Sequence, residues 1–326
     1  MQRKILNLAV ISALGFSQYA QAGWVTVPST GFTDSAYTNC YNAGRTSTAA
    51  RGNFGSLALV AQQYPSNGVV DTCWTNAPAT EASLPPASRS GAAFTGFTQT
   101  GSTSRAIPNP VSGGMVIGNV YEKYWRNPTT NTCLIATRVI MSAVDSDAAV
   151  GTQYFKVNDL VRSGFSGAGD VYFAYAFPAN LTPVSIMSPI YRVGRTFTSV
   201  QHRALRYDTL ANKSQNGTNY LDLPTKNSVS AEITGEPTGI FASTTASTTL
   251  AKQDAVVNSN HIDFTLDTVY ANEDGSSGAY SAITYVEASC NALPTEQFGA
   301  IRLRQTGQEN ATLKAIDITG YTIGTP

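Results

Sequence analysis

The chain has 326 residues, in which 21 Lys and Arg balance 21 Asp and Glu, and only 13% of the residues are charged. That neutrality argues against nucleic acid as a partner and against electrostatic docking on anionic lipid. The charged share is about half the usual one. With 27 Gly and abundant Ser, Thr and Asn, it describes a surface held in water by hydroxyls and amides.

Residues 1–22 open with Arg3 and Lys4, run apolar from Ile5 to about Phe16, and end in Ala20-Gln21-Ala22 before Gly23. This is the three-part pattern of a secretory signal peptide. The apolar run is too short for the ~20 residues that a membrane-spanning helix needs. The short cationic start and the Ala-Gln-Ala site resemble Gram-negative export signals. The expectation is a secreted protein of the periplasm, cell surface or extracellular space, with residues 1–22 removed and a net charge near −2 once Arg3 and Lys4 are lost. No later apolar run reaches ~18 residues, so no transmembrane segment is expected after signal removal.

Four cysteines follow: Cys40, Cys73, Cys133 and Cys290. An even count in an oxidising compartment predicts two disulfides, and sequence allows three pairings. Cys40–Cys73 with Cys133–Cys290 is favoured, because the first two share an N-terminal segment. Closing that loop is worth ~3 kcal/mol through lost chain entropy. A zinc site is disfavoured, since no CxxC occurs.

Helical periodicity is nearly absent, with one or two turns conceivable over 57–63. Residues 76–110, rich in Ala, Pro, Ser, Thr and Gly, read as a long loop. They mark a boundary between an N-terminal disulfide-stapled segment (23–110) and a main body (111–326). Strands are predicted at 115–125, 133–142, 153–157, 171–177, 195–201, 261–267, 280–287, 300–304 and 312–319. The first two read as a hairpin across an Asn-Pro turn. In 261–267, Ile262, Phe264 and Leu266 alternate with Asp263, Thr265 and Asp267, the pattern of a half-buried strand with its polar face in solvent. Residues 227–260, Thr- and Ser-rich, read as a second long loop. No strand–helix–strand alternation occurs. The predicted fold class is therefore all-β: an antiparallel β-sandwich, jelly-roll or immunoglobulin-like, with long loops and little helix.

Few residues suggest chemistry. Ser166, in Ser163-Gly-Phe-Ser-Gly-Ala-Gly169, superficially resembles a nucleophile elbow but has Ala168 where the motif has glycine, and it lacks the strand–helix context. A glycine-rich turn explains it better, and His202 as its base reads as a surface or capping histidine. His261 and Asp263 share one strand face about 7 Å apart at ~3.3 Å per residue, a spacing that suits a metal pair. Asp145-Ser-Asp147 and the 272–275 turn offer oxygens that calcium would take, without the EF-hand spacing; no other cofactor is predicted. Tyr121 and Trp125 lie on one strand face and could form a glycan platform, whereas Tyr124 points to the other. Trp24, Val25 and Val27, in the first mature strand, could add to a neighbour's open sheet edge. Nucleotide, P-loop, zincin and c-type haem motifs are absent.

These features predict a non-catalytic surface or extracellular-matrix protein, either self-assembling as a filament or adhesive subunit through edge strands, or facing surface glycans. The alternatives are a secreted polysaccharide-active hydrolase or lyase and a periplasmic ligand or metal carrier.

Overall fold

The structure is a computed structural model describing residues 23–33, 35–40, 73, 75, 96–149, 151–178, 187–198, 226–227, 255–271, 278–305 and 314–326. Strands account for all the regular structure among them, and none of the described residues is helical. In chain order these are β1 (Val25–Val27), β2 (Tyr37–Asn39), β3 (Thr98–Pro108), β4 (Val116–Asn127), β5 (Thr132–Met141), β6 (Val157–Ser163), β7 (Val171–Ala176) and β8 (Met187–Ser188). There follow β9 (Arg192–Gly194), β10 (Lys226–Asn227), β11 (Ala255–Val256), β12 (His261–Thr268), β13 (Tyr280–Ser281), β14 (Ile283–Ser289), β15 (Thr295–Gln305) and β16 (Lys314–Thr322).

Two large sheets carry the fold. The first runs β1-β7-β14-β5-β4-β3, with β13 also on β5 and β8 beside β13. The second runs β16-β15-β6-β12-β9-β2, and β10 and β11 form a small parallel pair. The chain is all-β, as its strand signals predict, and the two sheets pack on each other. Between them, Val120 and Val139 of β4 and β5 join Leu160, Ile262 and Leu303 of the second sheet in one apolar core. Phe173 of β7 stacks on Phe264 of β12 with ring centroids 4.7 Å apart. Strand alternation dictates this: Ile262, Phe264 and Leu266 turn inward together.

One polar link crosses the core. Arg162 of β6 donates to Glu122 of β4 and to the Tyr321 carbonyl of β16, and to Thr137 Oγ1 at 3.0 Å. The Tyr321 amide donates back to Glu122 Oε2 at 3.2 Å. Both side chains are fully buried. A charge out of water needs this degree of partnering.

The disulfides pair Cys40 with Cys73 and Cys133 with Cys290, as favoured from the sequence. The predicted hairpin is β4–β5. Its turn is fixed by Asn127, whose Oδ1 accepts from the amides of Thr129 and Thr130 at 3.0 and 3.2 Å. Asn131 follows at φ 51°, a left-handed value that asparagine tolerates.

Several expectations are corrected. Within the stretch read as a long loop, residues 98–108 form β3, paired along its length with β4. Its Thr- and Ser-rich run faces solvent, with Ile107 as the residue it sends into the core, so it lacks the apolar alternation that marks a strand. The strand predicted at 153–157 begins instead at Val157 and runs to Ser163. Near 195–201 the strand is Arg192–Gly194, with Thr196 bridging Val257 beyond it. The polar face of β12 is not in solvent: His261, Asp263 and Thr265 are buried. That face belongs to a charged layer on the outer side of the second sheet. Arg304 of β15 lies opposite Asp159 of β6, which lies opposite Thr265 of β12, which lies opposite Arg192 of β9. Arg304 pairs with Asp263 at 3.2 Å, both fully buried. Burial, together with the neighbouring Asp159, holds the Asp263 carboxyl well above the usual range. Phe197 covers the Arg302 and Arg304 guanidinium groups at 4.9 and 4.8 Å and lies 4.5 Å from the His261 ring. The possible helical turns at 57–63, and most of the second loop, lie outside the described residues.

Candidate functional site

The outer face of the first sheet holds the most site-like surface. Tyr121, Lys123 and Trp125 of β4 point there, because the intervening Glu122 and Tyr124, like Val120 before them, turn inward; Tyr124 packs edge-on against Tyr321 at 4.5 Å. The strand register then assembles rows of side chains across strands. Ala174, Tyr285, Ala136, Lys123 and Ser102 follow one another over β7, β14, β5, β4 and β3. On one side lies the row Arg138–Tyr121–Ser104, and on the other Leu134–Trp125–Gln99. Ala136 is the reason for a depression here. Its methyl sits between the long side chains of Tyr285 and Lys123, leaving a groove of about 90 Å³. Tyr121, Lys123, Trp125, Arg138, Tyr285, Ser102 and Thr103 are among its lining residues.

An apolar cluster supports the groove. Trp125, Leu134, Ala136, Ala176, Ile283 and Tyr285 pack together, with Trp24 and Phe97 against them. Tyr121 is the exposed aromatic at 40%, whereas Trp125 is only 2% exposed. The Trp125 indole Nε1–H has no hydrogen-bond partner among the described residues.

The groove's ionic groups are partly desolvated. Burial pulls the Lys123 ammonium below its ordinary range. It pulls the Arg138 guanidinium down to about 10, against the opposing influence of the Tyr280 and Tyr285 hydroxyls. Arg138 Nε donates to the Ser281 carbonyl at 3.3 Å, and its guanidinium carbon lies 5.2 Å from the centre of the Tyr280 ring. Burial pushes the Tyr285 phenol well up, with Arg138 pulling the other way. The carboxylate among the lining residues, Glu122, is turned inward to Arg162 and Tyr321.

Tyr121 and Trp125, singled out in the sequence, thus share one groove, with Trp125 forming its buried support rather than an open stacking face. Lys123, Arg138, Ala136 and Tyr285 were not foreseen. The period-two spacing Tyr121-x-Lys123-x-Trp125 already placed Lys123 with its neighbours, but Tyr285 and Ala136 needed the strand register.

The other candidates lie elsewhere. Asp145 and Asp147 are in the β5–β6 connection. There Asp145 Oδ1 accepts from the amides of Asp147 and Gln153, both at 3.0 Å, and Asp147 Oδ1 accepts from the Ala149 amide at 3.2 Å. Such side-chain-to-backbone bonds stabilise the turn itself. His261 and Asp263 do share one face of β12, but buried within the charged layer rather than in solvent. Burial and the nearby Arg304, Arg302 and Arg195 pull the His261 imidazole down to about 4. No group of three or more His, Cys, Asp or Glu converges as metal ligands among the described residues. Trp24, Val25 and Val27 are at the start of the chain's own first sheet: β1 pairs antiparallel with β7, Val25 opposite Phe173, and Val27 enters the core. Ser166 sits exposed in a turn held by other groups. Its amide donates to Asn260 Oδ1 at 3.2 Å, and Arg195 donates to the Phe165 and Gly169 carbonyls at 3.1 Å each. His202 and the 272–275 turn lie outside the described residues.

No helix among the described residues is long and apolar enough to cross a membrane. No protein-family model matches the chain, and no curated protein or solved structure shows significant similarity to it.

Proposed function

We propose that the chain is an exported, non-catalytic protein of the cell surface or extracellular matrix that faces glycans through the groove on its first sheet. The groove is the observation that carries this reading. An exposed tyrosine, two cations and the hydroxyl-bearing Ser102 and Thr103 surround a floor made by a single alanine methyl. A sugar ring offers an apolar face for stacking and a rim of hydroxyls for hydrogen bonding, and this lining supplies partners for both. Export is supported by the N-terminal signal pattern and by two disulfides, which persist in oxidising compartments. The test is a glycan array probed with the purified mature chain, followed by assay of the bound glycan for release of shorter products. Saturable binding without product supports the reading. Product release would replace it with the hydrolase or lyase alternative, and absence of binding to any glycan would overturn it.

Self-assembly is the second reading, and β3 favours it. This strand has eleven residues and, among the described residues, stands at the end of its sheet with β4 as its neighbour. A long edge strand of this kind is a template for pairing with another chain. Sedimentation across a concentration series tests it: a monomer at every concentration would exclude pairing through β3.

A further inference from the structure

We infer that Lys156 and Asp267 condense to an intramolecular amide, a covalent cross-link between the start of β6 and β12 that the folded chain makes by itself. The link concerns the chain's own maturation and stands apart from the glycan-facing reading. Lys156 Nζ lies 2.9 Å from Asp267 Oδ1, with the two side chains 4% and 18% exposed. Lys156 directly precedes β6 and stands between Phe155 and Val157, both members of the apolar core. Asp267 is in β12, at the irregularity between Thr265 and Thr268 where its register with β6 shifts. A bulge re-aims a side chain, and here the Asp267 carboxyl meets the residue that opens β6. The Asp267 main chain is held in place, since its amide donates to the buried Ser188 Oγ at 2.8 Å.

Taking an ammonium and a carboxylate out of water is costly even when they meet. Proton transfer along the pair, from Nζ to the carboxylate, gives a neutral amine and a carboxylic acid, the forms that burial favours. A lysine can make that transfer. The cations of the buried pairs Arg162–Glu122 and Arg304–Asp263 cannot, because a guanidinium keeps its proton. A desolvated lysine amine is a competent nucleophile towards a carbonyl carbon. A small rotation of the Asp267 carboxyl turns Cγ towards Nζ, and reacting atoms held about 3–3.5 Å apart gain a large effective molarity. The Nζ lone pair adds to Cγ, the Cγ–OH bond breaks, and the departing hydroxyl takes a proton from Nζ. One ammonium and one carboxylate become one amide and one water, with no oxidant, reductant or activating group consumed. Both buried charges vanish in the product, and the amide ties together β6 and β12, the two central strands of the second sheet.

The test is the intact mass of the purified mature chain after full reduction of both disulfides, followed by tryptic digestion and tandem mass spectrometry. The N-terminal peptide of the same digest fixes where the mature chain begins. The expected mass is one water below that of the mature sequence. The expected digest contains a branched peptide that joins the segment carrying Lys156 to the segment carrying Asp267, with no cleavage after Lys156. Lys156→Arg and Asp267→Ala should each restore the full sequence mass and remove the branched peptide. The wild-type mass decides the matter even if these variants fold poorly. A wild-type chain at its full sequence mass, with trypsin cutting after Lys156, would overturn the proposal and leave an ordinary ion pair. A missing water located within a single linear peptide would overturn it too, because an aspartate closing on its own backbone loses the same mass without joining two strands.

Discussion

Replacing Glu122 by alanine tests how the two sheets are held together. In the folded chain the Arg162 guanidinium is fully buried and has Glu122, Thr137 Oγ1 and the Tyr321 carbonyl as partners. Glu122→Ala leaves that charge in the core without its counter-charge and leaves the Tyr321 amide without its acceptor, 3.2 Å away. Breaking a buried pair from one side costs about 3–5 kcal/mol. For a chain of this size, about 2 °C per kcal/mol corresponds to a fall in melting temperature of roughly 6–10 °C. The double variant Glu122→Leu/Arg162→Met removes both desolvation costs and fills similar volume, so it should recover most of the loss. Calorimetry at neutral pH with the disulfides intact reads both effects. A loss below about 1 kcal/mol for Glu122→Ala, or a double variant no more stable than the single one, would refute the assignment of this pair as a buried, mutually dependent link.

Three further outcomes follow from other parts of the fold. His261 has its imidazole pulled to about 4, below the ordinary 6.5, so it contributes stability that is present above pH 6.5 and lost as the pH falls towards 4. That contribution is about 3 kcal/mol, and the stability difference between wild type and His261→Gln should shift by this amount across the window. The raised Asp263 carboxyl acts with the opposite sign but is present in both proteins, so the difference curve isolates the histidine; a flat curve would contradict its burial as a neutral ring. Among the disulfides, Cys133–Cys290 spans 157 residues and Cys40–Cys73 spans 33. Denaturant unfolding should therefore show the paired Cys133/Cys290 alanine variant losing about 4–5 kcal/mol and the paired Cys40/Cys73 variant about 3–4; the reverse order would count against chain entropy as the cause. Gly194→Ala should lower stability by about 1–3 kcal/mol, because its Cβ would lie 2.6 Å from Tyr37 Cδ1 and disturb a ring whose hydroxyl donates to the Thr198 carbonyl at 2.7 Å. A thermal melt indistinguishable from wild type would show that the Tyr37 ring has room to move.

The sequence pattern carried the core and missed the charged layers. The alternation of Ile262, Phe264 and Leu266 identified β12 and its inner face correctly, because apolar side chains have one destination. Its outer residues read as solvent-facing, since a single strand cannot show that Arg304 and Asp159 of the strands alongside provide charges for an internal layer. Strand β6 was largely hidden for the same reason. Asn158, Asp159 and Arg162 look like a polar connection until their partners on other strands are known. The groove was half legible. Period-two spacing put Tyr121 and Trp125 on one face, but its floor at Ala136 and its far wall at Tyr285 depend on the β4–β5–β14 register, which no local pattern specifies.

The most direct test of the groove as the binding site is the affinity of one array-positive oligosaccharide for three proteins: wild type, Tyr121→Ala and Phe298→Ala. Phe298 is 72% exposed on β15 of the other sheet and serves as a control for a generally sticky aromatic surface. Loss of an aromatic anchor in Tyr121→Ala should weaken binding roughly tenfold or more, while Phe298→Ala binds as wild type does. Unchanged affinity in Tyr121→Ala, or equal losses in both variants, would contradict the assignment of the groove.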